Sequence, residues 1–489
     1  MSTPDTGSGA RMTATEALMW SVERDPVLRS SFTNVTILEH GPDVARLRGR
    51  IERSLADIPR LQQRVHVPFG PLPTPEWVDD PDFDLDYHLR HMALPLPGSE
   101  RQLLDLAALM AQDAFDLARP LWQFTVVEGL EGGRAALLAK LHHTVTDGVG
   151  GLRMSMSFID LEPGPDGAAG PEDTAVTGGG TTRGAAPGAG NRGAERSPGD
   201  GEGGEADGGP GRLVAELARQ LGRVPHAIGD AAELLAHPLD VGRDVATQAV
   251  ETARSFARQA VITDGSRSPL WAGRRSVGRH FEAMRFELEP LKRAAKALGG
   301  TVNDAYVTGV TGGAGAYHRA KGLSPPELRM SMPISTRSDR SAAGNAFVPA
   351  RVLVPTDVAD PLERFAVVHE RLTAVKQERA LGLANAFAGV LTGMPAPLLA
   401  RVARQQVETV DFAASNLRGS PADLFVAGAR VVANHPMGPT AGTAFNATVL
   451  SYRDSLDMGL VVDTAAVDDP ELLRRCIARG LADMAGQAG

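Results

Sequence analysis

The stretch His142-His143-Thr144-Val145-Thr146-Asp147-Gly148 constrains this chain more than any other. It follows the apolar run Ala135-Ala136-Leu137-Leu138-Ala139-Lys140-Leu141, which predicts a buried strand. It precedes Val149-Gly150-Gly151-Leu152, where glycines permit a sharp turn before Leu152, Met156 and Ile159, spaced as on one helix face. Neighbouring side chains of a strand point to opposite faces, so His142 and His143 cannot face the same way unless the strand ends between them. One of them can then sit at the mouth of a cleft while the other packs beneath it.

The chemistry open to this constellation is narrow. A neutral imidazole that titrates near neutrality is well suited to take a proton from a hydroxyl at pH 7. Asp147, four residues after His143, can fix a ring by a hydrogen bond or brace the loop by pairing with an arginine. Gly148 lets the chain turn where a Cβ would crowd a cleft. Histidine also binds zinc, but adjacent histidines on a strand diverge, and neither an HExxH helix nor a cysteine cluster accompanies them. No metal site is expected. A pair of hydrogen-bonded structural histidines at a strand end is the alternative reading.

With 489 residues the chain can build two substantial cores. Its net charge of -9 gives no general attraction to nucleic acid or to anionic lipid. A lone cysteine, Cys476, excludes an internal disulfide and suits a reducing compartment. No apolar stretch reaches the roughly eighteen residues that a spanning helix needs, and the first residues carry no secretion signal. A cytoplasmic protein is expected, held at most peripherally on the inner membrane face or on lipid droplets. Residues 1–11 read as disordered and 12–161 as an N-terminal domain. From 162 to 212 about a third of the residues are Gly, with no Leu, Ile or aromatic, which predicts a disordered linker. Residues 213–262 read as a helical connection interrupted at Pro225 and Pro238, and 263–489 as a C-terminal domain.

Several segments outside the histidine stretch carry a second layer of pattern. Pro120-Leu121-Trp122 opens a strand that ends in Glu128-Gly129-Leu130, and a hairpin across Glu131-Gly132-Gly133-Arg134 leads to the strand before His142. Core packing is the expected role of Trp122. Val302-Asn303-Asp304 starts a helix, with Thr301 or Asn303 as its N-cap. Thr13 or Thr15 caps an earlier helix in the same way. A strand ends in Pro333-Ile334-Ser335-Thr336-Arg337, and Ser415-Asn416 and Asn446 with Ser451-Tyr452 lie in the β-rich end of the chain.

HHxxxDG resembles the signature of the acyltransferase superfamily built on the chloramphenicol acetyltransferase fold. That superfamily includes condensation domains of nonribosomal peptide synthetases and the bacterial wax ester synthase/diacylglycerol acyltransferases. The Pro-Leu-Trp, Val-Asn-Asp, Pro-x-Ser-x-Arg and Ser-Asn segments favour the second group. Two departures stand out: Glu16 where that family usually has Asp, and Ser420 where it usually has Pro, which suggests a looser turn.

The resemblance implies an α/β fold of two pseudo-symmetric chloramphenicol acetyltransferase-like domains, each a mixed sheet flanked by helices, with an active-site channel at their interface. It implies transfer of a long-chain fatty acyl group from acyl-CoA to diacylglycerol or a long-chain alcohol, with acyl-CoA a co-substrate and no cofactor. It places the general base at His143, with His142 supporting it, Asp147 bracing the loop and Asn303 as an oxyanion or histidine partner. Ser335, Ser415 and Asn416 follow as substrate-binding candidates. The rivals are a condensation-type aminoacyl transferase working on carrier proteins and a non-catalytic lipid-associated scaffold of the same fold.

Overall fold

Local chemistry sets the starts of the main helices. Thr13 accepts the Glu16 amide while the Glu16 side chain returns to the Thr13 amide, opening helix α1 (Ala14–Val22). The same reciprocal box, Ser99 with Gln102, opens a later helix (Glu100–Gln112), and Thr301 with Asp304 opens another (Val302–Ala320). Each such cap contributes about 1 kcal/mol. Thr13 and Thr301 are therefore the caps, and Asn303 lies inside its helix.

The computed structural model describes residues 10–68, 74–146, 151, 154–155, 157–162, 268–273, 275–335, 347–377, 403–404 and 407–488. All of these belong to one unit built from 1–164 and 247–489. The expected linker beyond Glu162 and the expected 213–262 connection lie outside the described residues, as do 1–9. The end of the supposedly disordered N-terminus is a correction: Ala10–Arg11 form strand β1.

After α1 the first half runs β2 (Ser31–Leu38), α2 (Val44–Asp57), β3 (Gln63–His66), β4 (Glu76–Asp79), the single turn α3 (Leu85–His88) and β5 (Leu89–Ala93). It continues through α4 (Glu100–Gln112), β6 (Trp122–Leu130), β7 (Arg134–His142) and β8 (Ile159–Asp160). The second half runs β9 (Arg279–Glu287), α5 (Leu288–Ala297), α6 (Val302–Ala320), β10 (Glu327–Ser335), β11 (Phe347–Pro355) and α7 (Pro361–Gln377). It ends with β12 (Phe412–Arg418), β13 (Phe425–Val426), β14 (Ala429–Met437), β15 (Phe445–Tyr452), β16 (Ser455–Asp463) and α8 (Pro470–Ala485).

Among the described residues β1, β4 and β3 make a small sheet, and two larger mixed sheets carry the fold. The first has the order β5-β6-β7-β2-β14-β13-β8, the second β11-β10-β12-β15-β16-β9. The β6–β7 hairpin turns on Gly132 and Gly133, at φ 77° and 73°, which residues with a Cβ rarely adopt. β7 is central, paired to β6 and β2 and covered on both faces. Ala135, Leu137 and Leu141 pack with Trp122 and Phe124, while Ala136 and Leu138 pack with α4 and with Phe281 and Val461 of the second half. That double burial explains the unbroken apolar run.

Phe425–Met437 does not stay with the rest of the C-terminal half. β14 pairs antiparallel with β2, so the second half supplies two strands to the first half's sheet. The Asn434 amide donates to the Asp457 carboxylate of β16 at 2.7 Å, joining the inserted strand to the sheet it left. A second correction concerns Ile159, expected on a helix with Leu152 and Met156. Ser157 and Phe158 form a turn, and Ile159 pairs with Val426 in β8. The β-branched side chain follows the available strand edge rather than the helical spacing. Among the described residues no helix is long and apolar enough to cross a membrane.

Candidate active site

β7 delivers the histidine pair and stops between its members. His142 is the last strand residue, opposite Ser31 of β2, and its amide donates to Leu121 O at 3.0 Å. His143 is already in the turn: its amide donates to Ser30 O at 3.0 Å, and the Val145 amide closes back on His142 O at 2.9 Å. The two rings then part. His142 shares a face with Ala136, Leu138 and Lys140, the face toward α4. The His143 ring lies 4.8 Å from that of Phe32, which packs with the opposite core.

His142 is wholly buried and fully engaged. Its Nε2 is 2.8 Å from Glu23 Oε2, and its Nδ1 is 2.7 Å from Thr144 Oγ1. The Thr144 amide also donates to Nδ1, at 3.1 Å. A neutral imidazole has one donor and one acceptor nitrogen. Since Nδ1 receives a backbone N–H, the network assigns the proton to Nε2, which donates to Glu23. His143 is half-buried. Two residues before His142, buried Lys140 donates to Met110 O and Asp113 O, 2.7 Å each, at the C-terminal end of α4. Burial pulls its ammonium down to about 8.

Asp147 and Gly148 lie outside the described residues. Asn303 is half-buried near the start of α6, with Nδ2 3.7 Å from Met332 Sδ of β10. Ser335 ends β10 opposite Phe347. Ser415 and Asn416 are half-buried on β12, in register with Thr448 and Val449 of β15. The described hydrogen bonds of His142 and of Asn303 thus belong to separate networks, one in each half. Between the halves, on the Ser31–Thr33 side of β2, a cavity of about 40 Å³ is lined by Arg29, Gln112, Arg279, Phe281 and Thr440. That is room for a water or two.

Trp122 fills the core: it is buried, donates through Nε1 to Leu61 O at 2.8 Å, and stacks on His88 at 4.5 Å. Sequence reasoning passed over Glu23, Ser30 and Phe32. Glu23 sits in Glu23-Arg24-Asp25-Pro26, which reads as a solvated charged turn, and 119 residues separate it from His142. No local spacing signals such a contact.

The chain matches known proteins along most of its length. Residues 12–306 match the wax ester synthase/diacylglycerol acyltransferase catalytic domain, and residues 343–485 match the C-terminal domain of the same family. A putative diacylglycerol O-acyltransferase of Mycobacterium tuberculosis is 32% identical over 480 residues, covering 96% of this chain and 91% of that protein. A probable diacylglycerol O-acyltransferase of the same organism is 28% identical over 455 residues, covering 90% and 87%. Among solved structures, a wax ester synthase/diacylglycerol acyltransferase from Marinobacter aquaeolei superposes with a TM-score of 0.64 at 20% identity, over 98% of this chain and 100% of that one. The first condensation domain of the calcium-dependent antibiotic synthetase gives 0.59 at 16% identity, over 99% and 98%. At such identities the likeness is one of fold, and it is the expected α/β fold of mixed sheets flanked by helices. The two domain matches, and a relative identical at nearly a third of positions along almost the whole length, place this chain in the wax ester synthase/diacylglycerol acyltransferase family, as an acyltransferase.

Proposed function

We propose that this acyltransferase moves a long-chain fatty acyl group from acyl-CoA to the hydroxyl of diacylglycerol or of a long-chain alcohol, with His143 as general base. The observation that carries the reading is the division of labour between the two imidazoles. His142 has both ring nitrogens engaged by Glu23 and Thr144 in a buried site. His143 leaves the strand end half-buried, on the other side of the sheet.

In the proposed reaction His143 takes the proton of the acceptor hydroxyl as its oxygen attacks the thioester carbonyl. The tetrahedral oxyanion collapses, the C–S bond breaks, and the departing thiolate takes the proton back from the imidazolium. The products are an ester and free CoA, and no acyl-enzyme or cofactor enters. The single cysteine, Cys476, sits on α8, with its thiol pushed up by burial, which makes it a poor nucleophile. Asp147 and Gly148 keep their proposed roles in bracing and turning the loop. Asn303 or Ser335 would donate to the oxyanion, and Ser415 and Asn416 would line the substrate path. The lipid acceptors place the working enzyme at a membrane or droplet surface, peripherally and on the cytoplasmic side.

The test is purified protein with palmitoyl-CoA and either diolein or hexadecanol. Products are separated by lipid chromatography and the released thiol is titrated. Stoichiometric thiol and triacylglycerol or wax ester are expected. Thiol release without ester, or no turnover with either acceptor, would overturn the reading.

A further inference from the structure

We propose that Glu23 is a positioning residue for acyl transfer, holding through His142 and Ser30 the turn that carries His143. This rests on His143 being the base. Glu23 follows the last residue of α1 and is buried, although its neighbours Arg24 and Asp25 are more exposed. Its Oε2 receives two donors, His142 Nε2–H at 2.8 Å and the Ser30 amide at 3.2 Å. Its Oε1 lies 4.0 Å from Arg29 Nε. The Ser30 carbonyl in turn receives the His143 amide at 3.0 Å. One carboxylate therefore grips His143 from two sides, through its neighbour in sequence and through its partner across the sheet.

A buried carboxylate is an expensive way to fill space, and apolar side chains of similar volume often serve stability as well or better. What the carboxylate adds here is a choice of tautomer. With the His142 proton on Nε2, Nδ1 is free to accept the Thr144 amide at 3.1 Å, and the turn closes with the Val145 amide on His142 O. With the proton on Nδ1, two N–H groups would face each other and the turn would open at the residue between them, which is His143. A base displaced by about 1 Å loses up to roughly 100-fold in rate. Such a displacement acts on kcat and leaves substrate binding alone.

The experiment compares full-length Glu23→Ala, Glu23→Gln, Glu23→Asp and His143→Ala with wild type. It measures kcat and KM for palmitoyl-CoA, with melting curves to fix the folded fraction. Gln can offer one oxygen to both donors, so Glu23→Gln is expected to stay within roughly fivefold of wild-type kcat. Glu23→Ala is expected to lose about 10–100-fold in kcat, with KM changed less than about twofold. Glu23→Asp keeps the charge but draws it back from His142, and is expected to lose roughly tenfold in kcat; it decides the matter if the Ala variant does not fold. Wild-type kcat per folded molecule in the Ala or Asp variant, or an equal kcat loss in Gln and Ala, overturns the inference. A rise in KM at unchanged kcat overturns it too. If His143→Ala also keeps full kcat, the base assignment itself falls and takes this inference with it. If His143→Ala is inactive while Glu23→Ala is not, only the role of Glu23 falls.

Discussion

His142→Ala should fail mainly in stability, with a smaller loss of turnover through the displaced turn, and His143→Ala mainly in turnover. Truncating His142 removes the bonds to Glu23 Oε2 and to the Thr144 hydroxyl and amide, all between buried groups. It leaves the Glu23 carboxylate, with a side chain 3% exposed, facing, among the described residues, the Ser30 amide and a guanidinium 4.0 Å away. Removing one partner of a buried ionic or hydrogen-bonded pair costs about 3–5 kcal/mol. Total stability is about 5–15 kcal/mol, and each kcal/mol moves Tm by roughly 2 °C in a chain of this size, so a fall of roughly 5–10 °C is expected. His143 is half-buried and rests on Phe32, so its truncation should cost about 1 kcal/mol and a degree or two. Its loss should instead lower acyl transfer by about 10²–10⁴-fold. Calorimetry with single-turnover acyl transfer, run on both variants at a temperature where each is folded, separates the two effects. A His142→Ala protein that melts with wild type, or a His143→Ala protein that loses more Tm than activity, would refute the division of roles.

Four further outcomes follow from the fold and the sequence. Burial pushes the Asp411 carboxyl up to about 6, against the Ser268 and Arg329 amides that it accepts, so the native state binds its proton more tightly than the unfolded state between about 4 and 6. Wild type should therefore lose stability relative to Asp411→Asn, by on the order of 2 kcal/mol, as pH rises from 4 to 7; a constant difference in urea titrations would contradict this. A Cβ on Gly480 of α8 would lie 2.3 Å from Gly309 O of α6, so Gly480→Ala should force the helices apart and lower Tm by several degrees, with no change in a melt refuting the close packing. Exchanging 162–212 for a short Gly/Ser linker that still spans the gap should leave activity and Tm nearly unchanged, because that composition lacks the apolar area for a core; a large loss of either would show that the segment docks. Carbonate washing of membranes should release most of the protein, and retention would mean deeper insertion.

What the sequence determined by itself is what lies within a few residues. The β7 strand follows from its apolar run, the hairpin from Gly132 and Gly133, and two helix starts from a capping residue narrowed to Thr13 or Thr15 and to Thr301 or Asn303, of which the structure uses Thr13 and Thr301. Alternation left open whether His142 and His143 part, because the strand could end between them; it does end there, and the contacts with Glu23 and Phe32 decide where each ring goes. Tertiary structure alone decided the rest. Alternation marks Val426–Val432 as a strand but says nothing of its neighbour; the packing broke it at the β13–β14 turn, carried it on to Met437 and put it beside β2 in the other half's sheet. Ile159 kept a helical spacing and became an edge strand because β13 offered it a partner. Glu23 carries no local sign of burial; it became the partner of His142 only when α1 packed against the end of β7. Short-range geometry is written in spacing, whereas the partner of a buried charge is whichever group the folded chain brings within about 3 Å.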